Sequence, residues 1–310
     1  MTQALVVVGG GPVGMALALA LHKQGIAAEI HDLRERGAAA GDKRILALSH
    51  GSRQILESLG IWSEIKATPI LNIHVSQRGA AGRTKISARE EQVEALGYVA
   101  SSSSIAGALD RALSAVGTPF AGNSRLLDAE SGDESIALML SDGSIHTKLV
   151  AYAEGRIGDE EAVVERDYGQ HALICHLTPA AHHQGTAWER FTTHGPFALL
   201  PFENAYAAVY TCTPAEAERL KALPDAELLA HLQVEFGQRV QFTAVHERFI
   251  FPLGLRYREQ PTAERQVWLG NAAQTLHPVA GQGFNLALRD CMALAPVSYT
   301  HLTLPTTERV

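Results

Sequence analysis

Gly9-x-Gly11-x-x-Gly14 follows the apolar run Ala4–Val8 and leads into a second apolar run that ends near Leu21. Glycines at this spacing suit the seating of a pyrophosphate. The first makes the turn, the second lets the anion approach the backbone, and the third lets a helix pack on the strand. Asp32 lies eighteen positions after Gly14, at the end of a β-prone run Ala28–His31. A carboxylate there can accept hydrogen bonds from both hydroxyls of an adenosine ribose. The opposite end of the chain holds a second arrangement of this kind. Trp268-Leu-Gly-Asn-Ala-Ala-Gln-Thr-Leu-His-Pro-Val-Ala-Gly-Gln-Gly-Phe-Asn-Leu-Ala-Leu-Arg-Asp290 reads as a short strand, a loop with Pro278 and Gly281, and a helix beginning near Gly283. The positive end of a helix dipole and free N–H groups at that point suit a further anionic group.

The elements that must hold these residues alternate between strand and helix. After Asp32 the segment Arg34–Asp42 is rich in Gly and Ala, and Arg44–Ser49 leads into a helix over His50–Leu59 with Ile55, Leu56 and Leu59 on one face. Strands are expected at Ile73–Gln77, Thr84–Ser87, Arg125–Ala129, Ile136–Leu140 and Leu149–Ala153, with a helix over Ile105–Val116. Ser141-Asp-Gly-Ser144 sits between two β-prone runs and predicts a hairpin. From about Asp167 the pattern changes to strands at Tyr168–Leu177, Tyr206–Cys212 and His246–Phe251. Two helices follow Thr213 and Asp225, the second running through Phe236. The fold class is α/β, a Rossmann-like nucleotide-binding domain with an inserted mixed β/α domain.

Composition narrows the function. The chain has 310 residues, 46% hydrophobic and 19% charged, with a formal net charge of −7. It is long enough for two domains, and no basic run points to nucleic acid as a ligand. Cys175, Cys212 and Cys291 lack metal-ligand spacing, and strand alternation splits His171, Cys175 and His176 between two faces, so no metal site is expected. Ala4–Leu21 is interrupted by Gly-Gly-Gly-Pro and lacks a basic start, which argues against a secretion signal. A cytoplasmic location is expected, with peripheral contact to the inner membrane left open. His182 and His183 are expected in a solvated loop.

With both ends considered, the chain resembles the FAD-dependent aromatic hydroxylases of the para-hydroxybenzoate hydroxylase type. Within them it is most similar to the ubiquinone-biosynthesis branch acting on 2-polyprenyl-6-methoxyphenol. The resemblance covers residues 1 to about 295. It rests on Gly270–Asp290, Glu189–Pro201, Asp167-Tyr-Gly-Gln170 and Arg44–Ser49. It implies that Gly9, Gly11 and Gly14 hold the FAD pyrophosphate, Asp32 the adenosine ribose, Arg44 the pyrophosphate region and Asn271 the ribityl chain. Pro278, Gly281, Gln282, Gly283, Phe284 and Asn285 would surround the isoalloxazine ring; no acid or base is assigned. The implied reaction is monooxygenation of a polyprenylated phenol with NAD(P)H and O2, through a flavin C4a-hydroperoxide. Other ubiquinone-biosynthesis enzymes are implied as partners.

The resemblance also implies domain limits: 1–75, 95–165 and 262–296 for FAD, and 76–94 and 166–261 for substrate. Three features depart from the family. Ala153-Glu154-Gly155-Arg156 and its following acids Asp159–Glu161 replace an Ala-Asp-Gly pattern, and Ser102-Ser103 replace an Asn-Arg pair. Residues 297–310 match neither the helix nor the family and are expected to be a non-native tail on a C-terminally truncated chain. Two alternatives therefore stand beside the hydroxylase: another FAD-dependent oxidoreductase on this scaffold, and a truncated, non-catalytic FAD-binding remnant.

Overall fold

The computed structural model describes residues 3–158, 163–276 and 281–303. The chain opens with β1 (Gln3–Val8), α1 (Pro12–Lys23) and β2 (Ala28–His31), then β3 (Ile45–Leu48) and α2 (His50–Ser58). Short strands β4 (Ala67–Ile70), β5 (Asn72–Gln77), β6 (Arg83–Ser87) and β7 (Gly97–Ser101) precede α3 (Ser102–Ala115). Next come β8 (Phe120–Ala121), β9 (Leu126–Ser131), β10 (Ile136–Leu140) and β11 (Gly143–Tyr152). The second half holds β12 (Val163–Pro179), β13 (Thr186–Phe191), β14 (Pro196–Phe202), β15 (Ala205–Cys212), α4 (Pro214–Ala222), α5 (Asp225–Phe236) and β16 (Phe242–Arg258). It closes with β17 (Thr262–Ala263), β18 (Gln266–Trp268), β19 (Gln274–Thr275) and α6 (Gln282–Thr303).

β1 is apolar at successive positions because both of its faces are covered, as a central parallel strand requires. It pairs in parallel with β2 on one side and β11 on the other. Leu5 and Val7 join the main core with α1, α3 and α6, while Val6 and Val8 pack with Ile136, Leu138 and Val150 on the opposite face. The β10–β11 hairpin forms as expected, with Leu140 paired to Gly143.

The second sheet runs β19-β16-β12-β15-β14-β13-β5-β6. Helices α4 and α5 cover one face, where Leu173, Phe197, Tyr206, Tyr210, Leu228 and Phe236 form a core. Part of the other face packs on the three-stranded sheet β3-β7-β4 through Ala187, Ile70 and Val99, with Ile45, Ile73, Leu200 and Phe202 around them.

The structure departs from the sequence reading at several points. β5 belongs to the second sheet from its first residue, since Asn72 pairs with Thr186, so that unit starts before residue 76. β12 likewise enters the sheet at Val163 rather than after 165. β12 and β16 are each 17 residues long and extend beyond the expected Tyr168–Leu177 and His246–Phe251, passing through Gly169 and Pro252. A register shift between Asp167 and Gln170 takes up the irregularity, as bulges do beside a strand proline. β13 and β14 lie in a Gly- and Pro-containing motif whose periodicity did not mark them as strands. His183 is buried, with Nε2 at 2.7 Å from the Glu203 carbonyl, rather than solvated. Finally, α6 does not stop near Ala295. It runs past Pro296 to Thr303, because buried Ala295 and Ser298 keep it packed. Residues 304–310 lie outside the described residues, as do Asp159, Glu160 and Glu161.

Candidate functional site

The turn between β1 and α1 is shaped by what a side chain would strike. Gly9 has φ +115°, and a Cβ there would lie 2.4 Å from the Ala153 carbonyl oxygen at the end of β11. A Cβ on Gly14 would lie 1.9 Å from the Gly9 carbonyl oxygen, so α1 sits directly on the turn. Gly11 differs from both. It is the N-cap of α1 with no side-chain capping bond, Pro12 follows it, and a Cβ on it would meet nothing within 4 Å. The start of α1 therefore has no side-chain cap and open space beside Gly11, which fits a pyrophosphate.

Asp32 stands beside this turn and is buried. Its Oδ2 accepts from the Gly10 N–H at 2.5 Å, and its Oδ1 accepts from the Arg34 N–H at 2.7 Å and from Arg34 Nε at 3.2 Å. The carboxylate is thus held at the turn, although part of its capacity goes to an exposed arginine. An exposed pair of that kind is weak, so a ribose hydroxyl can displace Arg34 at little cost.

The second and third turns of α6 meet the start of α1, with Gly270 between them. With φ +57°, a Cβ on Gly270 would lie 3.2 Å from Val13 Cγ2 and 3.4 Å from Ala287 Cβ, and Cys291 Sγ donates to the Val13 carbonyl at 3.6 Å. The glycine-bearing segments from opposite ends of the chain are therefore neighbours. Asn271 comes next, half-buried, and its side chain has no hydrogen bond among the described residues. Gly281, also at φ +57°, rests on Ala47 of β3, and Gly283 faces open space. Gln282 is exposed and Phe284 half-buried against the main core. Pro278 and His277 lie outside the described residues.

Asn285, expected beside the ring, has its side chain engaged by the protein itself. It is buried, and its Oδ1 accepts from the Ser49 N–H at 2.8 Å and from Ser52 Oγ at 2.6 Å. Its Nδ2 donates to the Ala47 and Gly281 carbonyls at 2.9 and 2.7 Å. Those bonds occupy the side chain, which ties α6 to the β3–α2 junction instead of facing outward. Arg44 is likewise engaged: Nε and Nη2 fork onto Asp42, which also accepts from Ser102 Oγ at 2.8 Å. Burial pushes the Asp42 carboxyl up, but the bonds from Arg44 outweigh it and leave the group below its ordinary value. For Arg44 to reach a pyrophosphate, it must leave this partner.

One polar group was not singled out for a role by the sequence. Glu189 lies on β13, half-buried, and its Oε1 is sealed from solvent with no hydrogen bond. Burial pushes its carboxyl up to about 7. A glutamate in an alternating strand gives no local sign of such isolation; only the neighbouring strands do.

The residues present fit FAD: Gly11 and Gly283 have open space beside them, and Asn271 has an amide with no hydrogen bond among the described residues. Comparisons with known proteins agree. A family model described as FAD binding domain matches residues 1–297. The chain is 30% identical over 305 residues to the ubiquinone hydroxylase UbiL of Rhodospirillum rubrum, covering 94% of this chain and 71% of that protein. It is 30% identical over 312 residues to the 3-demethoxyubiquinol 3-hydroxylase of Escherichia coli, covering 94% and 78%. The crystal structure of p-nitrophenol 4-monooxygenase PnpA from Pseudomonas putida superposes with a TM-score of 0.78 at 16% identity, covering 97% of this chain and 80% of that one.

Proposed function

This chain belongs to the FAD binding domain family and is an FAD-dependent monooxygenase, and from that premise we propose that it hydroxylates a polyprenylated phenol of the 2-polyprenyl-6-methoxyphenol type in ubiquinone biosynthesis. The observation that carries the reading is the meeting of the two glycine segments. Gly270 lies against both Val13 of α1 and Ala287 in the second turn of α6, which supports a shared seat for one cofactor between the two segments.

In this reading Gly9, Gly11 and Gly14 hold the pyrophosphate, Asp32 takes the ribose, and Asn271 hydrogen-bonds the ribityl chain. Gly281, Gln282, Gly283 and Phe284 border the ring. FAD, reduced by NAD(P)H and reacting with O2, supplies the oxygen atom that enters the substrate ring. The chain's own groups do the rest. The α6 N-terminus offers N–H groups and a positive dipole end to the reduced ring's negative charge. Asn285 keeps that N-terminus fixed against β3. Exposed Phe191 and Phe251, on the second sheet, supply apolar walls that exclude water from the reacting carbon.

Among the described residues no helix is long and apolar enough to cross a membrane. A prenylated substrate therefore implies peripheral contact with the membrane or with other ubiquinone-biosynthesis enzymes. The test is direct: purified protein should carry FAD, oxidise NAD(P)H faster when 2-geranyl-6-methoxyphenol is added, and give a product heavier by one oxygen. Protein that carries FAD but yields no oxygenated product with this phenol refutes the substrate assignment.

A further inference from the structure

The second sheet ends at the edge strand β6, and positive charge gathers there on a chain whose formal net charge is −7. Antiparallel pairing sets Lys85 opposite His74 and Arg83 opposite Ser76, so both cations share the face of those two residues. Arg190 on β13 is the partner of Ser76 on the other side of β5 and joins the same face. Arg239, in the turn after α5, donates to His74 Nε2 at 2.8 Å. Arg190 Nη2 lies in that turn too, 3.6 Å from where a Cβ on Gly237 would stand. Arg78, just past the end of β5, donates to Glu235 of α5 at 2.6 Å.

Protection of an exposed edge explains charges on β6 alone. It does not explain Arg190 on an interior strand or Arg239 beyond α5. Glu235 is the carboxylate set against these cations, and it does not balance them. Burial, then Arg239 and Arg78, hold Arg190 below its ordinary value against the pull of Glu235. Burial, then Arg239 and Lys85, likewise hold His74 down. Apolar groups stand at the same edge. Phe191 follows Arg190, is exposed, and its carbonyl accepts from the Arg78 N–H at 2.8 Å. Val234 of α5, beside Glu235, is 66% exposed.

Resting on the reading that the substrate carries a prenyl tail, we propose that this edge of the second sheet docks on an anionic lipid surface. Arg78, Arg83, Lys85 and Arg239 meet the headgroup phosphates, while Phe191 and Val234 reach the headgroup–acyl boundary. A prenyl tail partitions into the bilayer rather than into water, and no helix among the described residues is long and apolar enough to hold the protein there. A basic edge beside exposed apolar side chains supplies that hold. It also brings Phe191, an apolar wall for the substrate, to the lipid.

The experiment uses the full chain loaded with FAD and sedimented with vesicles of phosphatidylcholine alone or mixed with phosphatidylglycerol. Binding should be at least about tenfold tighter to the mixed vesicles and should weaken as salt is raised. Replacing two cations together, Arg83→Gln and Lys85→Gln, should weaken it by roughly twentyfold, at about fivefold for each charge, with FAD content unchanged. Removing the same charge from the other unit, by Lys66→Gln with Arg125→Gln, should cost much less. Equal binding to both vesicles, an undiminished double variant, or an equal loss in the control pair overturns the proposal. Retention on heparin without vesicle binding also overturns it, in favour of an anionic macromolecule. Protein that docks through this edge yet gives no oxygenated product with 2-geranyl-6-methoxyphenol refutes the substrate assignment and leaves the lipid-docking edge standing.

Discussion

Helices α1 and α6 pack on either side of Gly270, but their starts are held in place by different means. α1 is positioned by the absence of side chains: Gly14 rests on the Gly9 carbonyl, and Gly9 on Ala153. α6 is positioned by one side chain, Asn285, which bonds to Ala47, Ser49, Ser52 and Gly281. The first method is intolerant of any added atom. The second tolerates added volume nearby but depends on both the oxygen and the nitrogen of one amide. Each start leaves one glycine, Gly11 or Gly283, facing open space. Packing and ligand seating are thus assigned to different glycines within each motif.

The largest effect should come from Gly14→Ala, whose Cβ would overlap backbone that cannot move aside. A loss of about 3 kcal/mol in urea unfolding, together with loss of FAD, is expected. An unchanged midpoint would mean that α1 does not sit on the turn. Asn285→Ala should cost about 2 kcal/mol by stranding its buried partners. Asn285→Asp should be no milder, because it removes the donor to Ala47 and Gly281 and introduces a charge. If either variant keeps parental stability and flavin spectrum, the contrast between the two helix starts fails.

Glu189 provides an opposite case to Asn285, a polar group without bonds, and its effect is expected to be smaller. Its carboxyl rises from an ordinary 4.5 to about 7 on folding through burial. Between those values the folded state keeps a proton that the unfolded state has released. Its contribution to stability is therefore complete below the lower value and lost as pH rises through the upper one. The loss should be about 2 kcal/mol after allowance for its partial exposure. Glu189→Gln should remove this slope in thermal unfolding between about pH 5 and about pH 8. A slope unchanged by the substitution would show that the group is not buried as described. The smallest stability effects belong to Gly11→Ala and Gly283→Ala, within about 0.5 to 1 kcal/mol of the parent. Both should nevertheless weaken FAD binding measured by flavin fluorescence. Full FAD affinity in both variants would dissociate these glycines from the cofactor.

Much of the scaffold could be read directly from the chain. The β1–α1–β2 order, the β10–β11 hairpin and the helix starting at Gln282 follow from local signals: glycine spacing, a two-residue turn and apolar periodicity. β13 and β14 were missed because their hydrophobicity depends on which faces become buried, and one of those faces carries both Ala187 and Glu189. The helix beyond Pro296 was missed because a proline ends a helix by local rules, whereas buried Ala295 and Ser298 oppose that here. Among the site residues, the open glycines were legible and the engagement of Asp32, Arg44 and Asn285 by protein partners was not.

By itself the sequence determined that two backbone turns suited to anions would form, because glycine spacing acts through φ, ψ and excluded volume within a few residues. It could not determine that these turns would share one wedge at Gly270, that Asn285 would be used up in bonding β3 and α2, or that Glu189 would stand without a donor. Those outcomes depend on strands and helices far apart in the chain, since a side chain's burial and hydrogen-bond partners are set by what packs on it.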